Sequence, residues 1–275
     1  MDVSAKGGDG GGASATALIV GAAITELIDD IRSVPTTLDV LGHFSSGIYL
    51  RGPSGPFALS DNSIPAGPLH LIVSRPIVGA TSATEVVLSA DRLTVGDLLI
   101  ELDGAAPWDP VLPSPTLTPR IFRRLLAELV DYRPPPAELK AVWPRVRQAL
   151  AAGDYEAMTT LLEGRGSGLT PIGDDVLAGW MMADALRYPV PHRDLRNDLA
   201  HSIRSTDLSR VFLRFAARGQ SIEPLHRLFS EAAADEQANL RATAADLATI
   251  GESSGRAMLA GIMLAVDEWR DQLPR

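Results

Sequence analysis

Hydrophobic residues near the start of the chain follow a helical spacing. Val20, Ile24 and Ile31 recur at intervals of four and seven positions, and acidic residues occupy other faces. This spacing is typical of an amphipathic helix, which we predict over residues 14–34. The preceding residues 1–13 hold five glycines together with small and polar residues. Because such a segment cannot bury enough surface to become ordered, we expect a disordered start.

The rest of the chain divides into two segments with different hydrophobic periods. Residues 35–112 carry short hydrophobic runs, for example 69–74 and 97–102, which Gly- and Pro-rich turns separate. These runs predict a module of short strands. From residue 118 onward the period is about 3.6, which predicts helices over 118–275. The chain therefore has an α+β pattern, with a small antiparallel β-barrel or sandwich module followed by an all-helical module.

Composition narrows the possible functions. Asp and Glu number 34 against 25 Lys and Arg, and the net charge is −9, so the chain has no broad positive field for nucleic acid or an anionic membrane. The absence of cysteine excludes disulfide scaffolds, thiolate metal sites and cysteine nucleophiles. No apolar run reaches the roughly 18 residues that span a membrane. We expect a cytoplasmic protein that binds neither nucleic acid nor membranes.

The segment 164–175 is the first candidate site, because four glycines and a proline lie there between two helical patterns. Glycine lets the backbone approach a ligand closely, and free N–H groups at the start of a helix attract an anion. We predict that this segment binds a small anionic metabolite. The residues assigned to this binding are Gly166, Ser167, Gly168, Thr170 and Gly173.

Two nucleotide-binding motifs fail at one position of this segment. Leu169 precedes Thr170 where a P-loop requires lysine, and it also occupies the place of the third glycine in the dinucleotide motif GxGxxG. We therefore expect no nucleotide and no organic cofactor.

Asp174 and Asp175 follow this segment at the predicted start of a helix, and they allow two interpretations. Two carboxylates would repel a phosphate, unless a divalent cation such as Mg²⁺ lies between them, since hard cations prefer carboxylate oxygens. Alternatively, one aspartate caps the helix and the other favours the helix dipole in the first turn.

A second glycine-rich segment, at 250–261, repeats part of the first. Gly179 and Gly261 occupy matching positions inside two predicted helices, where glycine is unfavourable by up to about 1 kcal/mol relative to alanine. We propose that these helices cross closely and bring their starts into one site, to which Ser253, Ser254 and Gly255 contribute. The alternative is a coincidence of small residues at a helix contact.

A serine-hydrolase interpretation of this second segment fails. Gly251 and Gly255 fit the GxSxG pattern, but that motif needs a preceding strand and a later histidine. A helix is predicted before it, and the last histidine is His226.

A third polar cluster lies at 201–209. Arg204 could bind a carboxylate or phosphate through two hydrogen bonds, with the hydroxyls of Thr206 and Ser209 beside it. The alternative is a capping segment in which Thr206 or its neighbour begins the next helix.

Three sequence blocks resemble a known family. They are Gly-Leu-Thr-Pro-Ile-Gly-Asp-Asp-Val-Leu-Ala-Gly at 168–179, Arg-Ser-Thr-Asp-Leu-Ser at 204–209, and Ile-Gly-Glu-Ser-Ser-Gly at 250–255. These blocks are similar to the AllH family, which includes a subunit of the bacterial oxamate carbamoyltransferase. Strand-rich segments at 44–50 and 96–108 extend the resemblance to about residues 35–270.

The resemblance implies a cytoplasmic protein that acts with partner subunits. The implied reaction transfers a carbamoyl group between oxalurate and phosphate, within purine (allantoin) breakdown. Two residues depart from the family pattern, because Ala257 stands where an acidic residue is usual and Arg256 adds a positive charge. These departures indicate either a different acid substrate or a lost activity.

We predict that Asp174, Asp175 and Arg204 form the catalytic part of the site. They would polarise and position a carbamoyl or phosphoryl group, since no covalent nucleophile is evident. Two other functions are compatible with the sequence. One is a non-catalytic metabolite-binding or regulatory subunit, and the other is a stand-alone enzyme that acts on another organic acid.

Overall fold

The molecule consists of two compact units. The structure, a computed structural model, describes residues 13–31, 34–109, 112, 118–234 and 239–272. The first unit comprises the chain up to residue 64 and residues 69–107, and the second comprises residues 65–68 and the chain from residue 108 onward. Strands come first and helices after, which confirms the α+β class. The predicted disordered start lies outside the described residues, apart from Ala13.

The first unit is built from short strands. Their bounds are β1 (Ser14–Gly21), β2 (Thr36–Thr37), β3 (Asp39–Phe44), β4 (Gly47–Gly52), β5 (Gly55–Asp61), β6 (His70–Val73), β7 (Val86–Leu88), β8 (Arg92–Val95), β9 (Leu98–Glu101) and β10 (Ala106–Trp108). Helix α1 (Ala22–Asp30) connects β1 to β2.

The described strands form one mixed, barrel-like sheet. Their order is β2-β7-β8-β9-β1-β6-β5-β4-β3, and β10 pairs with β1. Most neighbours are antiparallel, but β1 runs parallel to β9, and β5 runs parallel to β6. A purely antiparallel module was expected from the sequence. The difference arises because the alternation of side chains along one strand does not encode the direction of its neighbour.

Strand β1 corrects the predicted helix over 14–34. Residues 14–21 are extended, and only α1 is helical. Ala15 and Ala17 are buried between exposed neighbours, a period of two that places them on one face of a strand. The helical spacing holds within α1, where Ile24 and Leu27 are fully buried. A hydrophobic pattern that spans both elements therefore resembled one long helix.

The second unit is helical. Its helices are α2 (Pro119–Glu128), α3 (Trp143–Ala151), α4 (Tyr155–Leu162), α5 (Ile172–Arg187), α6 (Arg193–Ser202), α7 (Asp207–Ala217), α8 (Glu223–Ala233), α9 (Leu240–Ala248) and α10 (Ser254–Gln272). Short 3-10 turns cover Val130–Tyr132 and Ala137–Leu139.

Several of these helices begin at a capping side chain. Thr118, Asp154, Thr206 and Asn239 each accept a hydrogen bond from a backbone N–H in the first turn of α2, α4, α7 and α9. These are residue types that favour the position before a helix. Among the described residues, no helix is both long and apolar enough to cross a membrane.

Helices α5 and α10 cross at the centre of the second unit. A Cβ on Gly179 would lie 1.9 Å from the Met258 carbonyl oxygen, and a Cβ on Gly261 would lie 2.0 Å from the Val176 carbonyl oxygen. Backbone therefore meets backbone at both points, which only glycine permits. This contact confirms the predicted close crossing of the two glycine-bearing helices.

A buried ion pair holds the far end of α5. The Arg196 guanidinium donates to Asp184 Oδ2 at 2.7 Å and to the carbonyl oxygens of Tyr188 and Ala217 at 3.0 and 2.9 Å. Asp184 Oδ1 lies 2.9 Å from His192 Nδ1. Because the buried charges are hydrogen-bonded on several sides, the loss of hydration is offset and α5 is fixed against α6.

Candidate functional site

The glycine loop, residues 164–171, connects α4 to α5. Gly164, Gly166 and Gly168 have φ angles of +65°, +109° and +90°, which side chains with a Cβ rarely allow. The amides of Gly166 and Gly168 have no acceptor within the described residues, and this part of the loop is exposed. The loop thus presents backbone donors to solvent beside the start of α5, as an anion site requires.

Asp174 ties the loop to the segment that follows α6. Its Oδ1 accepts from the Gly164 amide at 2.8 Å, and its Oδ2 accepts from the Ser205 hydroxyl. Only 2% of the residue is exposed. The side chain therefore joins Gly164 and Ser205, which are 41 positions apart in sequence, and both of its oxygens are engaged in doing so.

The environment of Asp175 differs from that of Asp174, because one of its carboxyl oxygens has no partner in the described part of the chain. It is 1% exposed, and its Oδ2 has no hydrogen-bond partner within the described residues. Burial raises the pKa of Asp175 to about 8, a hydrogen bond from Ser254 opposes this rise, and the nearby Asp174 adds to it. A buried carboxyl group whose pKa lies near neutral pH and which lacks a partner is typical of functional sites.

The starts of α5 and α10 meet at this point. The Thr170 and Ser254 hydroxyl oxygens lie 3.4 Å apart, and Ser254 also hydrogen-bonds to Asp175. A Cβ on Gly255 would lie 1.8 Å from the Leu247 carbonyl oxygen, so this glycine allows α10 to begin against the end of α9. The predicted meeting of the two glycine-rich segments is confirmed by these contacts.

The third cluster packs against the glycine loop. The Thr206 hydroxyl donates to the Leu169 carbonyl oxygen at 2.5 Å, and the Ser209 hydroxyl lies 3.5 Å from the same oxygen. Thr206 also caps α7 by accepting from the Ser209 amide at 3.1 Å, which confirms the capping interpretation of this cluster. The Arg204 side chain is exposed, while its amide donates to Glu163 Oε2 at 2.7 Å.

The beginning of α5 differs from the prediction. The helix starts at Ile172 with Pro171 before it, and no side chain caps it. Asp174 and Asp175 both lie in the first turn, where carboxylates favour the helix dipole, and neither is the capping residue. The rigid φ of proline starts the helix earlier than an aspartate cap would.

Gly173 does not offer a free amide. Its N–H donates to the Arg165 carbonyl oxygen at 2.9 Å. A Cβ at this position would lie 1.9 Å from the Leu162 carbonyl oxygen. The predicted ligand-binding role of this amide is therefore corrected, because Gly173 is needed where α5 packs against the end of α4.

The two aspartates alone do not match a Mg²⁺ site. Among the described residues, no group of three or more His, Asp or Glu side chains could hold a metal ion. Asp174 already accepts from Gly164 and Ser205, and Asp175 keeps its proton at neutral pH because its pKa is about 8. Mg²⁺ prefers an octahedral set of charged oxygens and water. We assign no step to a metal, and Mg²⁺ stays a prediction from the sequence.

Two features of this region are absent from the sequence prediction. The first is the hydrogen bond from Ser205 to Asp174. The sequence identifies the polar cluster around Ser205, but ligand binding was predicted only for neighbouring residues of that cluster. A cleft also lies beside the start of α10, between Ser253 and Arg256 and the segment 131–138. Nothing in the spacing of that segment indicates a cleft, because most of the residues that line the cleft with it are more than a hundred positions away in sequence.

The second unit is thus an all-helical body with a polar site at the junction of two central helices. A family model described as oxamate carbamoyltransferase subunit AllH matches residues 162–266, which include the glycine loop, the third cluster and most of α10. The resemblance to the AllH family is confirmed over this segment. Comparison with curated proteins and with solved structures gives no match.

Proposed function

We propose that this chain is a subunit of a cytoplasmic carbamoyltransferase-type complex. The proposed substrates are small carboxylic acids, oxalurate or oxamate, together with carbamoyl phosphate, in the catabolism of purine (allantoin) nitrogen. The family match over residues 162–266 supports the class of protein and the presence of partner subunits. The identity of the substrates and the pathway is our proposal.

The state of Asp175 carries this proposal. A carboxyl group that is 1% exposed, has an oxygen without a partner in the described structure and has a pKa of about 8 destabilises the folded chain at neutral pH. Proteins keep such groups mainly where function requires them. Its position beside a loop with exposed amides indicates proton transfer close to a bound anion.

The proposed transfer has three parts. A phosphate oxygen attacks the carbamoyl carbon of oxalurate, the C–N bond to oxamate breaks, and the leaving nitrogen takes a proton. The amides of Gly166 and Gly168 would hold the anion, and the exposed Arg204 would bind the carboxylate of the acid. Binding and orientation supply much of the acceleration in such a reaction, because no covalent intermediate is needed.

Asp175 would supply the proton through neighbouring hydroxyls. Ser254 hydrogen-bonds to Asp175 and lies 3.4 Å from the hydroxyl of Thr170, which is only partly buried. These contacts form a continuous path from the buried carboxyl group towards the glycine loop. A pKa near the working pH suits a group that both donates and accepts a proton.

The test is an assay of carbamoyl phosphate formation from oxalurate and phosphate. The chain would be assayed alone and after co-purification with proteins encoded beside it. We expect turnover only with the partners, and an Asp175→Asn chain should lower it by about a hundredfold or more. The matched control is Asp198→Asn, because Asp198 is exposed on α6. Unchanged turnover in the Asp175→Asn complex would refute the proton-transfer role.

Binding can be tested without partners by thermal shift. Oxalurate, oxamate, carbamoyl phosphate and simple dicarboxylates would each be added with and without Mg²⁺. A ligand that binds the folded chain raises its melting temperature by mass action. An Arg204→Gln chain should lose the shift, whereas Arg145→Gln, an exposed change on α3, should keep it. If the rise in melting temperature is the same with and without Mg²⁺, the prediction of a bound metal is wrong.

One observation favours a second function, that of a non-catalytic metabolite-binding subunit. Both oxygens of Asp174 hold the loop and the third cluster in place, so this residue acts as a structural link in the described chain. If oxalurate binds and partners assemble while Asp175→Asn leaves turnover intact, catalysis belongs to a partner. Turnover of a different organic acid by the isolated chain would instead indicate a stand-alone enzyme.

A further inference from the structure

A cleft of about 290 Å³ lies beside the first turns of α10. Ser253 and Arg256 line it from the α10 side, and Asp131, Tyr132 and Glu138 line it together with the three prolines at 134–136. Its volume lies just below the range for sites of drug-sized ligands, which is typically about 300–1,000 Å³. The cleft therefore suits a ligand smaller than these, such as a small metabolite.

The cleft and the polar junction described above are lined by different polar side chains. Ser254 contacts Thr170 and Asp175, whereas the preceding Ser253 lines the cleft. Ser253 directly precedes α10 and Ser254 is its first residue, so the start of this helix presents one hydroxyl to each place. Asp175 does not line the cleft. The two sites share the start of α10 but use different side chains.

Charges of both signs lie in this cleft. Within the described structure Arg256 has no carboxylate partner, and its Cζ lies 5.9 Å from the centroid of the Tyr132 ring. The stacking places the guanidinium against the aromatic wall. Asp131 and Glu138 are exposed and form no ion pair among the described residues. One cationic group and two anionic groups thus line a cleft whose other walls are largely proline and alanine.

We propose that this cleft binds a free amino acid as a zwitterion. Arg256 would bind the carboxylate, Asp131 and Glu138 would bind the ammonium group, and the proline and tyrosine wall would contact an apolar side chain. The site is independent of the proposed carbamoyl transfer, since it uses neither the glycine loop nor Asp175.

Other small ligands match the cleft less well. A bare phosphate or dicarboxylate would meet Arg256 but would be repelled by Asp131 and Glu138. A simple amine would leave Arg256 without a partner while it displaces water from that group. A molecule with both charges satisfies the guanidinium and the carboxylates together, which is the requirement for binding at a site where charged groups lose water.

The test uses three probes with a common carbon chain. L-norvaline carries both charges, pentanoate carries only the carboxylate, and n-pentylamine carries only the ammonium group. Isothermal titration calorimetry at low ionic strength measures the dissociation constant of each for the full chain. We expect norvaline to bind at least about tenfold more tightly than either single-charge probe.

Variants then separate the two ends of the ligand. Arg256→Gln should weaken norvaline binding about tenfold and leave pentylamine bound at least as well. The double change Asp131→Asn with Glu138→Gln should weaken norvaline similarly and improve pentanoate. Arg145→Gln is the matched control, because it removes one exposed positive charge outside the cleft, and it should stay within about twofold.

Three results would overturn the amino acid site. They are equal binding of norvaline and pentanoate, an unchanged norvaline constant in Arg256→Gln, and no binding of norvaline to the unmodified chain below about 10 mM. These outcomes can be told apart from failure of the proposed function. If norvaline binds but no carbamoyl transfer occurs, only the proposed function is refuted. If transfer occurs but norvaline does not bind, only the amino acid site is refuted.

Discussion

Replacing Asp175 by asparagine should stabilise the protein at neutral pH. Asparagine has nearly the same shape and its carbonyl oxygen can still accept from Ser254, but it does not have to take up a proton when the chain folds. The pKa of Asp175 rises from 3.8 to about 8 on folding, mainly through burial. At 1.36 kcal/mol per pH unit, proton uptake at pH 7 lowers the free energy of unfolding by about 4 kcal/mol.

The sign of this effect follows from proton binding. Between pH 3.8 and about 8 the folded state holds a proton on Asp175 that the unfolded state has lost, so stability falls as pH rises through this window. The Asp175→Asn chain lacks this dependence. Its gain over the unmodified chain should grow from about 1 kcal/mol at pH 4.5 to about 4 kcal/mol at pH 7, measured by urea unfolding at each pH.

Asp174→Asn is the control for this experiment and should have the opposite effect. An asparagine offers one acceptor oxygen, so it loses either the Gly164 amide or the Ser205 hydroxyl as a donor. We expect destabilisation of about 1–3 kcal/mol. If Asp175→Asn also destabilises at pH 7, or if its effect is the same at both pH values, then Asp175 is charged in the folded protein and the proton-transfer argument is wrong.

Two further predictions concern the second unit. Gly261→Ala should destabilise by about 1–3 kcal/mol or more, because the new Cβ would lie 2.0 Å from the Val176 carbonyl oxygen, whereas Gly42→Ala in the first unit meets nothing within 4 Å. Thermal unfolding of both variants checks this, and equal melting temperatures would contradict it. Burial lowers the pKa of His226 to about 4, and its Nε2 accepts from the Ser221 amide, so His226 should contribute stability that is lost as pH falls from 6.5 towards 4, by at most about 3 kcal/mol. His226→Gln should flatten this part of the pH profile in urea unfolding, and an unchanged slope would show that the histidine is not the cause.

Much of the second unit is predictable from local patterns. Hydrophobic residues at a period of about 3.6 mark helices, because that spacing lines one face of a helix. Gly179 and Gly261 also indicate their helix contact, since glycine inside a helix is unfavourable unless a close approach needs it. The strand-rich first unit is predictable as a class for a similar reason, because turn residues divide it into short runs.

Other features depend on partners that are distant in the chain. Strand β1 was mistaken for part of a helix, because its extended conformation depends on hydrogen bonding to β6 and β9, which are distant in the chain. The direction of the parallel pairs, β1 with β9 and β5 with β6, likewise depends on how the chain between the two strands returns to the sheet. No local pattern contains this information.

At the candidate site, the residue types are evident from the sequence, but their roles are not. The sequence by itself determined that glycines, two aspartates and a polar cluster lie at helix starts, because local backbone conformation and capping depend on neighbouring residues. Only the tertiary structure decided that Asp174 holds the loop, that Asp175 is buried without a full set of partners, and that Arg256, Asp131 and Glu138 line one cleft. Burial and charge pairing arise between segments that folding brings together, and both set the pKa and the available hydrogen bonds of a side chain.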